Sequence, residues 1–179
     1  MYDLKFDGPD DKVAFRVRST RDALRAEDAD GNVLAWFRFS AEQLEVQDAK
    51  GRSLANVRPV LKGKILYRVL VPPDNEVLYE LRREPDGDLQ LKSRFQEMVY
   101  KLKRRDYGFK VQTANGETES RVRVKGGKIS IRADRGATYL ATKDPLRAGA
   151  VAVMSLESLP FPHAIGLGLA VQHWGIDPK

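Results

Sequence analysis

Apolar residues recur at every second position through most of this chain, in short runs separated by turn residues. Val13/Phe15/Val17, Val33/Ala35/Phe37/Phe39, Ile65/Tyr67/Val69/Val71, Val77/Tyr79/Leu81, Leu89/Leu91, Met98/Tyr100/Leu102, Val122/Val124 and Ile129/Ile131 carry the period, and their alternate positions are largely charged. That alternation belongs to a strand with one face in a core and the other in water. Between the runs stand Asp30-Gly31, Lys50-Gly51, Asp74-Asn75, Asp86-Gly87, Asn115-Gly116, Gly126-Gly127 and Arg135-Gly136, several of them dipeptides that accept the positive φ of tight hairpin turns. About twelve strands at roughly ten-residue spacing predict an all-β, meandering antiparallel barrel or sandwich.

The pattern echoes itself. LEVQDAKG at 44–51 resembles FKVQTANG at 109–116, an offset of 65 residues that also pairs Val57-Arg58 with Val122-Arg123; with one residue of adjustment, Gly63-Lys64-Ile65 matches Gly127-Lys128-Ile129. Two related half-barrels are expected, approximately 1–71 and 72–143, within a single domain spanning 1–179. The tail, 144–179, reads differently. Asp144-Pro145 has the form of a helix start, and residues 148–154 (AGAVAVM) are apolar all round, as in a helix buried on every side. Pro160 and Pro162 separate this from a second apolar stretch, Ala164 to Trp174. Their small residues suit a narrow lumen, and either segment could fill it.

Composition adds limits. Zero cysteines exclude disulfides and thiolate metal sites and fit a reducing, cytoplasmic setting. The polar, acidic start predicts no leader peptide, and apolar runs of about ten residues are half of what a transmembrane helix needs. The net charge of +6 is unevenly spread: residues 91–143 hold fourteen Lys/Arg against five Asp/Glu, or +9, while 1–90 carry −2 and 144–179 carry −1. One positively charged surface is therefore expected.

The repeated strand–turn–strand units, such as Val99 to Lys103 leading through Tyr107 to Gln112 and on to Gly116, followed by an apolar C-terminal segment, resemble the tubby C-terminal-like superfamily. That superfamily includes the LURP-one-related proteins and phospholipid scramblases. The resemblance implies a closed barrel of twelve antiparallel strands around a central hydrophobic helix, and a non-enzymatic role in binding anionic lipid or acting as an adaptor. The cysteine-rich and membrane-anchoring features of scramblases are missing, so lipid scrambling is not expected. The tail departs from the superfamily by offering two short helices where it has one.

Catalytic constellations are sparse. His163 and His173 stand ten residues apart, on different faces of one helix, and the expected role of each is a surface or capping histidine. Ser155 and Ser158 have no plausible base nearby in sequence. Asp28/Asp30/Gly31 has the form of a calcium-loop start, but Phe37 occupies the position of the bidentate Glu. No GxSxG, HExxH, P-loop or GxGxxG occurs in context. Neither enzymatic turnover nor a cofactor or metal is expected.

The best-formed site is a hairpin. A two-residue turn at Gly126-Gly127 sets Lys125 opposite Lys128, Val124 opposite Ile129, Arg123 opposite Ser130, Val122 opposite Ile131 and Arg121 opposite Arg132. Five cations then share the wet face, and like charges directly opposite one another are mildly destabilising; a bound anion would offset this. Lys101 and Lys103 share the outward phase of an earlier strand that continues into Arg104 and Arg105. The competing reading is a solvated face balanced by Glu119 and Asp134. Anionic phospholipid headgroups rank first as ligand, with the protein peripheral at a membrane, and nucleic acid ranks second because Tyr107 alone is available to stack. An acidic partner or an adaptor role is the remaining class, served by Leu34, Trp36, Leu66 and Leu70, which occupy the phase opposite to the core.

Overall fold

The computed structural model describes residues 2–60 and 62–176; Met1, Leu61 and residues 177–179 of the expected domain lie outside the described residues. The strands are β1 (Asp3–Asp7), β2 (Val13–Ser19), β3 (Leu24–Asp28), β4 (Val33–Phe39), β5 (Leu44–Asp48), β6 (Ser53–Pro59), β7 (Ile65–Val71), β8 (Glu76–Arg83), β9 (Leu89–Ser93), β10 (Met98–Arg105), β11 (Gly108–Thr113), β12 (Thr118–Lys125), β13 (Lys128–Ala133) and β14 (Thr138–Thr142). Two helices follow, α1 (Ala148–Met154) and α2 (Phe161–Trp174). Each strand pairs antiparallel with its sequence neighbours, and β1 pairs with β14 to close the barrel. The expected closed antiparallel barrel is therefore present, with fourteen strands rather than about twelve.

The internal echo recurs in the ladders. Every pair in the β3–β4, β4–β5 and β5–β6 ladders recurs 65 residues later in β9–β10, β10–β11 and β11–β12; Phe37↔Val46 becomes Leu102↔Val111, and Leu44↔Val57 becomes Phe109↔Val122. The bulges recur too, beside Val46/Gln47 in one copy and Val111/Gln112 in the other. The echo in register thus covers one unit, β3–β6, and a second, β9–β12; in the flanking ladders it is broken, since Asn56↔Leu70 would become Arg121↔Arg135 where Arg121 pairs with Arg132, and β1 and β14 lie outside both units. These last two strands have five residues each. Their shared seam is thin. It has one ladder pair, Asp7↔Ala141, reinforced by Asp144, whose Oδ2 accepts the Lys5 amide at 2.7 Å and the Thr142 hydroxyl at 3.2 Å.

Asp144 therefore staples the tail to β1 and does not begin a helix. Helix α1 starts three residues after Pro145, with Arg147 at its N-cap and no side-chain cap bond. Both helices lie in the lumen: α1 packs on β11–β13, α2 on β4–β7, and each on the other. Ala150, Ala152, Val153, Ile165, Leu167 and Leu169 are sealed from solvent. Small residues make room for two backbones, since a Cβ on Gly168 would stand 2.9 Å from the Ala150 carbonyl oxygen and one on Gly166 2.5 Å from a Val46 methyl.

The even-to-odd connections, together with the start of α1 and the end of α2, gather at one rim, here called the mouth; the odd-to-even turns form the base. At the base, Phe15 stacks on Phe6 with ring centres 4.4 Å apart and meets Phe161 edge-on at 5.1 Å, which anchors the start of α2. The Tyr100 hydroxyl donates to Glu119 Oε1 at 2.9 Å and lies 2.9 Å from both Oγ and the amide of Ser158 in the loop between the helices. Burial pushes the Glu119 carboxyl above the ordinary carboxylate range. At the mouth, the Tyr67 phenol donates to the Gly175 carbonyl, and its burial raises its pKa, keeping it a donor.

Candidate anion-binding face

The structure reproduces the expected hairpin pair for pair: Arg121↔Arg132, Val122↔Ile131, Arg123↔Ser130, Val124↔Ile129 and Lys125↔Lys128. Val122 and Ile131 are fully buried, and Arg123, Lys125, Lys128 and Arg132 are exposed. Its neighbours extend the face in a direction that the sequence reading missed. Lys103 pairs with Lys110, Lys110 with Arg121 and Arg121 with Arg132, so one row of four cations crosses β10, β11, β12 and β13. Directly opposed side chains in such ladders have Cβ atoms about 4.5–5.5 Å apart. Lys110 was omitted from the expected site, although its outward phase follows from the buried Phe109 and Val111 on either side. Lys101 pairs with Gln112 in the adjacent row.

Among the described residues, Arg121 alone in this row has a carboxylate partner, Asp134 Oδ1 at 2.5 Å, and that hydrogen bond holds its guanidinium above the ordinary arginine value. Arg123 lies over the Tyr107 ring, 5.1 Å from its centre. Tyr107 is thus engaged by a cation, while Tyr100 and Phe109 face the core, as expected. Glu119, expected to balance the face, instead accepts from the Tyr100 hydroxyl at the base.

One site residue needs correction. Arg104 follows Lys103 and therefore takes the inward phase, opposite Phe109; at the strand end that direction leads into the mouth, where Arg104 and its neighbour Arg105 line a cavity. Arg104 does not extend the outer row, whereas Arg105 keeps the outward phase, in register with Gly108 and Arg123, at the edge of the mouth. The expected exposed apolar set also changes: Leu70 is buried at 6 % exposure beside a bulge, while Leu34, Trp36 and Leu66 are half-buried. The Trp36 indole N–H donates to the Ala49 carbonyl at 3.3 Å, and Arg25 covers its ring. His163 is half-buried in the first turn of α2, where burial lowers its pKa; His173 is exposed, with its ring tilted against Phe39 and edge-on to Trp174. Among the described residues no group of three His, Asp or Glu is placed to hold a metal, and no helix is long and apolar enough to cross a membrane.

The repeat supplies a comparison within the molecule. Sixty-five residues earlier, the first three positions of the cation row are Arg38, Glu45 and Asn56, and the row continues into Leu70. The same ladder in the same barrel is built there without clustered cations. The fold does not require Lys103, Lys110, Arg121 and Arg132.

No family model matches the chain, and no curated protein matches it. Among solved structures, a protein from Arabidopsis thaliana is 11% identical with a TM-score of 0.45, covering 84% of this chain and 86% of that one. An alternansucrase in complex with isomaltononaose is 16% identical with a TM-score of 0.22, covering 72% of this chain and 12% of that one. Neither likeness is close enough to carry a functional argument; the fold stands on its own strand ladders.

Proposed function

We propose that this chain is a non-enzymatic, anion-binding barrel of the tubby-like kind, and that the outer face of β10–β13 docks on anionic phospholipid headgroups. The supporting observation is the row Lys103–Lys110–Arg121–Arg132, set against its mixed counterpart Arg38–Glu45–Asn56–Leu70. Like charges opposed across strands cost stability, about 0.2–1 kcal/mol on the scale of cross-strand pairs. A polyanionic surface offsets that cost and gains about 1 kcal/mol for each Lys or Arg brought near it. Arg123, Lys125, Lys128 and Lys101 widen the face, and Asp134 neutralises only part of it. The tubby-like assignment is supported by a closed antiparallel barrel whose lumen holds the apolar C-terminal helices.

The test is co-sedimentation with phosphatidylserine-containing and neutral vesicles at two salt concentrations, run beside a nucleic-acid gel shift. Binding is expected to anionic vesicles only and to weaken as salt rises. The Arg121→Glu/Arg132→Glu variant, with circular dichroism unchanged, should lose at least roughly thirtyfold, the equivalent of about 2 kcal/mol for two cations. Equal binding by that variant would overturn the site. Retention of nucleic acid alone would move the assignment to a nucleic-acid binder, and binding to neither polyanion would leave a protein adaptor.

A further inference from the structure

The repeat also makes the barrel its own control at the mouth. Phe39 ends β4, and its ring lies 4.4 Å from His173 and 5.5 Å from Trp174, so the end of α2 plugs the first unit's share of the mouth. Sixty-five residues later the position of Phe39 is taken by Arg104, and the register is otherwise the same: Phe39↔Leu44 becomes Arg104↔Phe109. Helix α2 does not reach this side, and α1 begins beside it with Ala148 and Gly149. A cavity of about 310 Å³ remains between the β8–β9 turn, the β10–β11 turn and the start of α1.

Its lining is divided by polarity. Leu89, Phe109, Gly149 and Ile176 form an apolar floor, and Val124, at 48% one of the most exposed large apolar residues described, borders it. Arg83, Arg104, Arg105 and Arg147 stand around the opening, with Asp106 the single carboxylate among the lining residues. The recorded side-chain bonds of Arg105 and Arg147 go to backbone carbonyls: Arg105 Nη1 donates to the Arg104 oxygen at 2.9 Å and Arg147 Nε to the Gln172 oxygen at 3.4 Å. Each guanidinium has five N–H donors in a planar fork suited to carboxylate or phosphate. The volume lies at the lower end of the range for small-molecule sites, roughly 300–1,000 Å³, and corresponds to about ten waters at ~30 Å³ each.

We infer that the mouth of the second unit binds a small amphipathic anion, a phosphate monoester or carboxylate bearing a short apolar group. The anion sits among Arg104, Arg105 and Arg147, and the apolar part rests on Leu89, Phe109 and Ile176. This site is separate from the outer face, and the two fail independently.

The test is calorimetric titration of the full chain with inorganic phosphate and with octyl phosphate below its micelle-forming concentration. Octyl phosphate should bind at least tenfold more tightly than inorganic phosphate. Arg104→Gln/Arg147→Gln should weaken it at least tenfold, and the outer-face variant Arg121→Glu/Arg132→Glu should leave it unchanged. In the wild-type chain, which guards against a misfolded variant, amide shifts on titration should centre on Gly87, Gly108 and Gly149. A parallel titration of the Arg121→Glu/Arg132→Glu chain, whose outer face is disabled, with phosphatidic acid vesicles identifies the source: retention by that chain that is lost when Arg104→Gln/Arg147→Gln is added assigns the anion to a lipid, and binding of octyl phosphate alone assigns it to a soluble compound. Failure of octyl phosphate to bind more tightly than phosphate, equal binding by a folded Arg104→Gln/Arg147→Gln variant, or shifts confined to the outer positions of β12 and β13 would overturn the proposal.

Discussion

Removal of residues 146–179 is expected to leave a chain that collects in the insoluble fraction or persists as a compact state without fixed packing. The lumen of this barrel is filled by α1, α2 and the loop between them, whose Val151, Val153, Met154, Leu156, Leu159, Ile165, Leu167, Leu169 and Val171 are all buried. Full burial of one such side chain contributes about 1.5–3 kcal/mol. Together they rival the entire net stability of a typical domain, ~5–15 kcal/mol. The strand side chains that face them, among them Phe37, Val46, Val111 and Ile131, would face water or a void. Collapse of the sheet cannot repair this, because closing fourteen strands fixes a lumen of given width. The expected signature is retained far-ultraviolet circular dichroism, lost near-ultraviolet signal and dye binding to exposed apolar surface. A sharp cooperative melt with dispersed amide resonances from the truncated chain would show that the helices are not its core.

Most of this architecture could be read from residue order. Strand period survives wherever a strand carries three or more alternating apolar residues, as in β4 with Ala35, Phe37 and Phe39. The runs that carry the period include neither β1, whose inward pair is Leu4 and Phe6, nor β14, where Leu140, Ala141 and Thr142 are buried in succession. The two tail helices were legible as apolar and small, yet which one fills the lumen was not. The answer, both, depends on close approach at Gly166 and Gly168, which no periodicity reports.

The face was legible to the extent that a turn pinned it. Gly126-Gly127 allows one pairing, and the Arg121–Arg132 register follows from it. Lys110 lay beyond that hairpin, on β11, and only the fixed ladder shows that it bridges Lys103 and Arg121. In the run Lys103-Arg104-Arg105 the opposite error occurred. Consecutive cations look like one surface, but alternation turns Arg104 inward, and only the open mouth makes an arginine tolerable in that direction. Charge density along the sequence pointed to β10–β13; the pleat decided which cations share a face.

Gly108→Ala tests both the ladder and the mouth, and it should be among the most damaging single-atom additions to this chain. Gly108 begins β11 between Arg105 and Arg123, with φ at +143°. A Cβ there would stand 2.2 Å from the Val122 carbonyl oxygen. That obstruction is backbone, so no rotamer change relieves it; β11 and β12 would have to part beside the Phe109–Val122 core pair. Gly116 closes the next turn with φ at +81° and nothing within 4 Å of its missing Cβ. Gly116→Ala therefore incurs chiefly the positive-φ penalty of about 1–2 kcal/mol. Gly108→Ala adds a packing conflict of about 1–3 kcal/mol, for a total of roughly 2–5 kcal/mol. Urea unfolding should place the Gly108→Ala midpoint clearly below that of Gly116→Ala. Because Gly108 also lines the mouth, the Ala variant should weaken octyl phosphate binding even at temperatures where it remains folded. Equal midpoints for the two variants would mean that β11 and β12 do not approach as closely as this register requires.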